Sequence, residues 1–204
     1  MRTLIQLREA GPGDPSTFYW TPSVLRSSLS SFRETQKRDL VNTIVSDTGP
    51  LITWSLVNQL PLLKRVYPVI LVPGAVVDEL RDQRHLSRPG HDLLERGWIQ
   101  RYELDLPDDS TLPRRFGHGE KEAIRLSRHA DLVLLIDDRE ARKAAQSRGI
   151  NTTATLETLG LCKKLGLLPF VRPLLEEMVA KGFWISDARK DRFLEQMGEP
   201  DAMT

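Results

Sequence analysis

The segment T-I-V-S-D-T-G-P-L, residues 43–51, sets the pattern from which the rest of the chain can be interpreted. Its opening residues are rich in β-branched side chains and predict a short buried strand, Thr43–Ser46, which ends at Asp47. A Gly-Pro pair then marks a turn, and we expect a helix over Pro50–Asn58. A strand that ends on an acid and leads into a helix is the first half of an α/β unit.

The alternation of strand and helix patterns continues to the end of the chain. It predicts βαβ units, and therefore an α/β fold with a mostly parallel central sheet covered by helices on both faces. The further predicted strands are Pro68–Val72, Trp98–Leu104, Leu132–Ile136 and Ile150–Ala154. The further predicted helices are Leu60–Val66, Pro73–Arg81, Pro89–Arg96, Gly119–Arg128, Arg139–Arg148, Leu156–Leu165, Pro173–Lys181 and Asp187–Met197.

Composition narrows the classes of protein that fit. The 204 residues include 29 Lys and Arg against 28 Asp and Glu, which excludes a polybasic nucleic-acid coat and an acidic tail but leaves room for a local basic patch. A single cysteine, Cys162, excludes a disulfide framework and a thiolate zinc site within one chain. The apolar run Leu132–Ile136 is too short to cross a bilayer. We expect a cytoplasmic protein without a membrane partner.

The chain divides near residue 41. Residues 1–40 are rich in Gly, Pro and Ser and keep no lasting periodicity, which predicts a loosely structured N-terminal arm or an over-long start. We expect the α/β domain over residues 41–170. Residues 171–204 are expected to form a C-terminal helical tail packed on that same domain.

Acids follow two of the predicted strands. Asp47 ends the first strand, and Asp137 and Asp138 end Leu132–Ile136. Because the carboxyl ends of parallel strands meet at one edge of a sheet, we expect these acids to lie close together. The pattern does not separate Asp137 from Asp138.

Two helices bring further acids. If Val76 and Leu80 face the core, Glu79 lies beside that stripe and Asp78 turns further out, so Glu79 is the better candidate.

Glu120 directly follows Gly119 at a helix start, where the helix dipole favours a carboxylate. Glu122 points in another direction around the same helix, so Glu120 is preferred.

Several carboxylates at one edge require a cation or protons, since their charges otherwise repel. Carboxylate oxygens suit Mg²⁺ and Mn²⁺, and such ions commonly serve phosphoryl chemistry. Taken singly, each acid has a simpler interpretation. Asp47, Glu120 and Asp138 can be helix caps, and Glu79 can be a solvated surface acid. The pattern of all of them together favours a metal site.

Four segments together resemble the PIN-domain superfamily. They are I-V-S-D-T-G-P-L at 44–51, V-P-G-A-V-V-D-E-L at 72–80, G-E-K-E-A-I at 119–124 and L-L-I-D-D-R-E-A-R at 134–142. The chain is most similar to a prokaryotic PIN-like branch of predicted nucleic-acid-binding proteins. The resemblance implies a Rossmann-like three-layer α/β/α sandwich with C-terminal helices. It also implies an Mg²⁺- or Mn²⁺-dependent endoribonuclease that hydrolyses single-stranded RNA, in some relatives as the toxin of a toxin–antitoxin pair.

Carried onto this chain, the resemblance implies specific roles. The implied catalytic and metal-binding acids are Asp47, Glu79, Glu120 and one of Asp137 and Asp138. The implied nucleic-acid contacts are the hydroxyl of Thr48 and the basic side chains of Arg81, Arg139, Arg142 and Lys143. Arg142 can instead pair with a carboxylate at the edge of the sheet.

The expected partner is single-stranded RNA, and the resemblance adds a small antitoxin-like protein. A homodimer is also expected, through a face around Leu174, Leu175, Phe183 and Trp184. The main alternative is a non-catalytic PIN-like module that binds nucleic acid or protein.

Three other enzyme classes fit poorly. The D-T-G triplet at Asp47 matches aspartic proteases, but no second triplet exists and helices alternate with strands. A phosphatase with an aspartyl nucleophile needs an acid where Gly49 stands. The glycines at Gly117 and Gly119 lack the third glycine of a dinucleotide-binding loop.

Overall fold

Among the residues that the structure describes, the central sheet has five strands in the order β3-β2-β1-β4-β5, and every neighbouring pair is parallel. The computed structural model describes residues 43–82, 97–104 and 109–199. The predicted sheet is therefore confirmed, and all of its described pairs are parallel. The strands are β1 Thr43–Ser46, β2 Val69–Pro73, β3 Ile99–Tyr102, β4 Val133–Leu135 and β5 Thr152–Thr153.

Helices connect the strands and form the outer layers. Within the described ranges they are α1 Thr48–Leu56, α2 Leu60–Val66, α3 Gly74–Arg81, α4 His118–Ala130, α5 Arg139–Gln146, α6 Thr155–Lys164, α7 Arg172–Ala180 and α8 Asp187–Gln196. No helix in this part of the chain is long and apolar enough to cross a membrane.

Two hydrophobic cores lie on the two faces of the sheet. Successive residues of β1 point to opposite faces, so Ile44 belongs to one core and Val45 to the other. Leu135 and Leu134 of β4 divide in the same way. Each of these fully buried side chains contributes about 1.5–3 kcal/mol. A sheet with a core on both faces is the α/β/α sandwich that the sequence predicts.

The ends of several elements differ from the prediction. Helix α1 begins at Thr48, two residues before the predicted Pro50, because proline is tolerated in a first turn, where backbone N–H groups have no partner inside the helix. Helix α4 runs to Ala130 and stops at Asp131, which adopts a left-handed φ of +55°. The predicted helix Pro89–Arg96 lies outside the described residues.

The remaining boundaries lie within two residues of the predicted ones. Helix α2 has the predicted bounds. Strands β3 and β5 are each shorter than predicted, since they lie at the two edges of the sheet and have one neighbour each. Helices α5 and α6 end at Gln146 and Lys164, before the predicted Arg148 and Leu165.

Helices α7 and α8 pack against the same core as α1 and α6. Leu174 and Leu175 are 8% and 1% exposed within that core. The predicted dimer face is therefore wrong for these two residues, because the hydrophobic side of α7 is already covered. Trp184 is 85% exposed, and the homodimer itself stays a prediction.

The last described residue, Glu199, closes this packing. Its carboxylate accepts hydrogen bonds from the backbone N–H groups of Val171 and Arg172, which lie at the start of α7. The ammonium of Lys163 pairs with the same carboxylate. Since helix N-termini leave their first N–H groups unpaired, Glu199 acts as a cap supplied from distant sequence.

Candidate active site

The acids gather at the edge of the sheet where the strands end. Asp47 follows β1, and Asp137 and Asp138 follow the neighbouring strand β4. The N–H of Asp47 donates a 3.0 Å hydrogen bond to the carbonyl of Leu135, which holds the two strand ends side by side. Parallel pairing of β1 with β4 is thus the reason that acids distant in sequence become neighbours.

Asp47 is a buried acid among other acids. The residue is only 7% exposed, and its pKa is raised from 3.8 to about 7, chiefly because of burial. The negative charges of Glu120 and Glu79 contribute to this rise, and hydrogen bonding from the backbone N–H groups of Thr48 and Gly49 opposes it. Near neutral pH this carboxyl exchanges readily between its protonated and ionised forms.

Glu79 is held at both carboxylate oxygens. The hydroxyl of Thr48 donates to Oε2 over 2.5 Å, and the N–H of Gly119 donates to Oε1 over 2.8 Å. Its helix neighbour Asp78 is exposed, as the helical geometry predicts. The hydroxyl implied to lie near the first acid therefore orients the second acid, and α1, α3 and α4 meet at this carboxylate.

Glu120 lies at the start of α4 and is half-buried. Its Oε2 accepts a 2.9 Å hydrogen bond from the N–H of Gly117. Burial raises its pKa, the Gly117 hydrogen bond lowers it, and the charges of Asp138 and Glu79 raise it further. Glu120 thus caps the start of α4 and also belongs to the acid group. The helix-cap interpretation and the metal-site interpretation of this residue are therefore compatible.

Glu122 has a structural contact instead. Its Oε2 accepts a 2.9 Å hydrogen bond from the N–H of Ala75 in the first turn of α3. The side chain therefore caps a neighbouring helix and joins α4 to α3. The preference for Glu120 over Glu122 agrees with this placement.

The structure separates Asp137 from Asp138. Thr155 donates to both oxygens of Asp137, from its N–H over 2.8 Å and from its hydroxyl over 2.7 Å. Burial raises the pKa of Asp137, and these two hydrogen bonds lower it. Asp138 is exposed, accepts a 2.7 Å hydrogen bond from the N–H of Ala141, and acts on the pKa of Glu120. Asp138 therefore faces the acid group, whereas Asp137 anchors the start of α6.

We name Asp47, Glu79, Glu120 and Asp138 the acid cluster. All of its donors are carboxylate oxygens, the type that hard divalent cations prefer. Within the described residues, none of the four forms an ion pair with Lys or Arg. The donor chemistry and the uncompensated charge fit a divalent cation. In the same part of the chain, no three such side chains lie close enough to hold an ion together as they stand.

Comparison with known families identifies the fold. Family model DUF3368, described as a PIN domain, matches residues 43–199. The chain belongs to the PIN-domain family. PIN domains are generally nucleases and typically use divalent metal ions, which agrees with the composition of the acid cluster.

One solved structure that the PIN domain resembles is a PilT N-terminus domain protein from the hyperthermophilic archaeon Sulfolobus solfataricus P2. The two chains are 15% identical with a TM-score of 0.44, over 57% of this chain and 89% of the other. No curated protein gives a significant match.

The basic residues of the PIN domain divide into paired and unpaired ones. Arg142 donates to Glu157 over 2.8 Å and to the hydroxyl of Thr152 over 3.2 Å, so the alternative of pairing with a nearby carboxylate is the one observed. Arg139 and Lys143 are exposed on the same helix and form no ion pair within the described residues.

Arg81 lies beside the acid cluster. It lines a shallow cleft of about 360 Å³ together with Glu79 and His118. Its guanidinium is exposed and has no ion-pair partner in the described part of the chain. A basic side chain next to an acid of the cluster is well placed to meet a phosphate.

Two contributors to the site are absent from the predicted site residues. Gly119 donates to Glu79 and leaves room for its carboxylate. Thr155 fixes Asp137. Thr155 is the first residue of α6, two residues after β5, and the N–H groups of a first helical turn need partners outside the helix. No comparable signal marks the contact of Gly119, because it depends on how α3 packs against α4.

Proposed function

We propose that this PIN domain is a metal-dependent endoribonuclease that hydrolyses phosphodiester bonds of single-stranded RNA. The observation that carries the proposal is the acid cluster, four carboxylates at the carboxyl edge of the sheet that have no ion pairs within the described residues. Buried carboxylates in folded proteins are usually paired, so a buried acid such as Asp47 among other unpaired acids favours a functional site.

Each acid has a part in this chemistry. A bound Mg²⁺ or Mn²⁺ would supply charge stabilisation at the phosphate and make a nearby water more acidic. Asp47, Glu79, Glu120 and Asp138 would hold it. Thr48 and Gly119 already fix the orientation of the Glu79 carboxylate, so this side chain loses less entropy when a cation binds. Asp47 must lose its proton to bind a cation, and its pKa of about 7 makes this step favourable above neutral pH.

The reaction consumes one water for each bond cut. The oxygen of water forms a bond to phosphorus, the bond from phosphorus to the leaving ester oxygen breaks, and that oxygen takes up a proton. Arg81, Arg139 and Lys143 are exposed near the cluster and supply positive charge for the phosphates on either side. Such contacts bind the backbone without reading its sequence.

Cleavage of a panel of labelled single-stranded RNAs tests the proposal. We expect cleavage with Mn²⁺ or Mg²⁺, none in EDTA, and a loss of at least about 100-fold in Asp47→Asn. The matched control is Asp131→Asn, since position 131 adopts a left-handed φ that asparagine tolerates and lies at the opposite end of β4. Cleavage that Asp47→Asn retains would contradict the proposed role of the acid cluster.

One observation favours a second candidate, a non-catalytic module that binds RNA or protein. The acids of the described residues do not form a chelating group as they stand. That candidate predicts RNA binding that EDTA leaves unchanged and no cleavage by the folded protein. The antitoxin-like partner and the cytoplasmic location stay predictions.

A further inference from the structure

A basic groove lies between α6 and α8, outside the acid cluster. It has a volume of about 390 Å³ and is lined by residues that include Glu157, Gly160, Lys164, Arg189, Arg192 and Phe193. We call it the α6–α8 groove. Three of these six side chains are cationic and one is anionic.

Close packing of the two helices forms the floor of the groove. A Cβ atom at Gly160 would lie 3.3 Å from both Phe193 and Met197. Glycine therefore lets α8 approach α6 more closely than a larger residue would. Phe193 is buried and gives the floor an apolar surface, while charged side chains rise on either side.

The single acid among these six residues is already paired. Glu157 accepts a hydrogen bond from Arg142 over 2.8 Å and lies 3.9 Å from Arg189. Lys164 and Arg192 form no ion pair or hydrogen bond with any part of the chain that the structure describes. The groove thus has positive charge that the described residues do not neutralise.

The groove begins at the first turn of α6, next to an acid that follows β4. Thr155, which opens this helix, donates to both oxygens of Asp137, the direct neighbour of Asp138, and Glu157 lies in the same turn. From Glu157, in the first turn of α6, the groove follows that helix to Lys164, a distance of about 10 Å. The groove therefore runs from the end of α6 that contacts Asp137 toward the unpaired cation Lys164.

We propose that the α6–α8 groove binds the backbone phosphates of single-stranded RNA on one side of the bond that is cut. This inference rests on the proposed function, which supplies the RNA as substrate. A strand whose scissile phosphate lies at the acid cluster continues directly into the groove, where Lys164 and Arg192 meet its next phosphates.

The test is binding of RNA by the full chain in EDTA, where cleavage does not interfere. Lys164→Gln with Arg192→Gln removes two cations, and we expect about tenfold weaker binding of an RNA of about 12 nucleotides, measured by fluorescence anisotropy. For an RNA of about 4 nucleotides we expect a markedly smaller loss of affinity, since so short a strand does not reach both the acid cluster and the α6–α8 groove. The slope of log K against log salt should become less steep by about 1.4.

The matched control is Lys64→Gln with Arg65→Gln. Both residues are exposed in the last turn of α2, at the sheet edge opposite the acid cluster, so this pair changes charge equally without touching the groove. We expect it to leave RNA affinity within about twofold. Circular dichroism and the free energy of unfolding verify that both double variants remain folded.

The outcomes separate this inference from the proposed function. Equal losses in the groove pair and the control pair, or a loss independent of RNA length, would overturn the groove. Binding of an acidic peptide that competes with RNA and is lost in the groove variant would also overturn it, in favour of a protein partner. Groove-dependent RNA binding without any metal-dependent cleavage would support the groove and contradict the nuclease.

Discussion

The carboxylate of Glu79 lies in the space that a side chain at Gly119 would fill. A Cβ atom there would come within 2.6 to 2.8 Å of Oε2, Oε1 and Cδ of Glu79. The backbone N–H of the same glycine donates to Oε1 over 2.8 Å. Position 119 therefore both makes room for an acid of the cluster and fixes its orientation.

Gly119→Ala tests this contact. In an open helical position, alanine would stabilise the fold by up to about 1 kcal/mol relative to glycine. Here we expect a loss of about 1–3 kcal/mol, because the new methyl group displaces the Glu79 carboxylate. Metal-dependent cleavage should fall with it. Urea unfolding and the RNA cleavage assay measure the two effects.

Gly117→Ala is the control for that substitution. Its Cβ would lie 3.9 Å from the nearest oxygens of Glu79 and Glu120, which is an ordinary contact. We expect the free energy of unfolding to change by less than about 1 kcal/mol and RNA cleavage to be retained. A stabilised Gly119→Ala variant with full activity would show that Glu79 moves freely.

Asp47 gives the metal-free protein a defined pH dependence. Its pKa is about 7 in the folded chain against an ordinary value of 3.8, so its favourable contribution is fully present below about pH 3.8 and is lost as pH rises through about 7. In EDTA we expect the free energy of unfolding to fall by about 2–3 kcal/mol from this group between about pH 5 and about pH 8.

Asp47→Asn should remove most of this dependence of the free energy of unfolding on pH, since asparagine resembles the protonated acid and does not titrate. Urea unfolding of both proteins at the two pH values measures the difference. Mn²⁺ should stabilise the native protein more at the higher pH, because a cation competes with a proton for Asp47. Identical slopes in the two proteins would mean that Asp47 titrates near its ordinary pKa.

The two adjacent aspartates should respond differently to substitution. Asp138→Asn keeps a capping side chain for Ala141 but removes a charge from the acid cluster, so cleavage should fall at least about 100-fold with little change in stability. Asp137→Asn weakens the hold on Thr155, so we expect a loss of about 1–2 kcal/mol of stability and a smaller loss of cleavage. The reverse order would make Asp137 the functional acid.

The basic residues of α5 should also divide into two groups. Arg142→Gln breaks contacts with Glu157 and Thr152, so we expect a stability loss of about 1 kcal/mol. Arg139→Gln and Lys143→Gln remove exposed cations that have no ion pair within the described residues, so stability should stay within about 0.5 kcal/mol.

RNA affinity measured against salt concentration checks the second group. Each of the two exposed cations that meets a phosphate should reduce the slope by about 0.7. A slope that neither substitution changes would place the RNA elsewhere on the protein.

Much of the fold could be predicted because its signals are local. The buried strand Thr43–Ser46, with its β-branched residues, and the helix Leu60–Val66 appear with the predicted bounds. The preference for Glu79 over Asp78 depended only on the helical period and agrees with the observed exposure. The start of α1 lies two residues before the predicted one, because proline is compatible with a first turn and does not mark its beginning.

Local sequence patterns were sufficient for the order of the described elements, the acids at the ends of β1 and β4, and the α/β class. They did not separate Asp137 from Asp138, because both acids follow the same strand and differ only in the residues that contact them. Their different contacts become visible only in the tertiary structure. Thr155, which lies 18 residues further along the chain, takes both oxygens of Asp137. The contact of Glu79 with Gly119 likewise depends on the tertiary structure. Such contacts arise from the packing of helices that are distant in the sequence, and they leave no periodic signal in it.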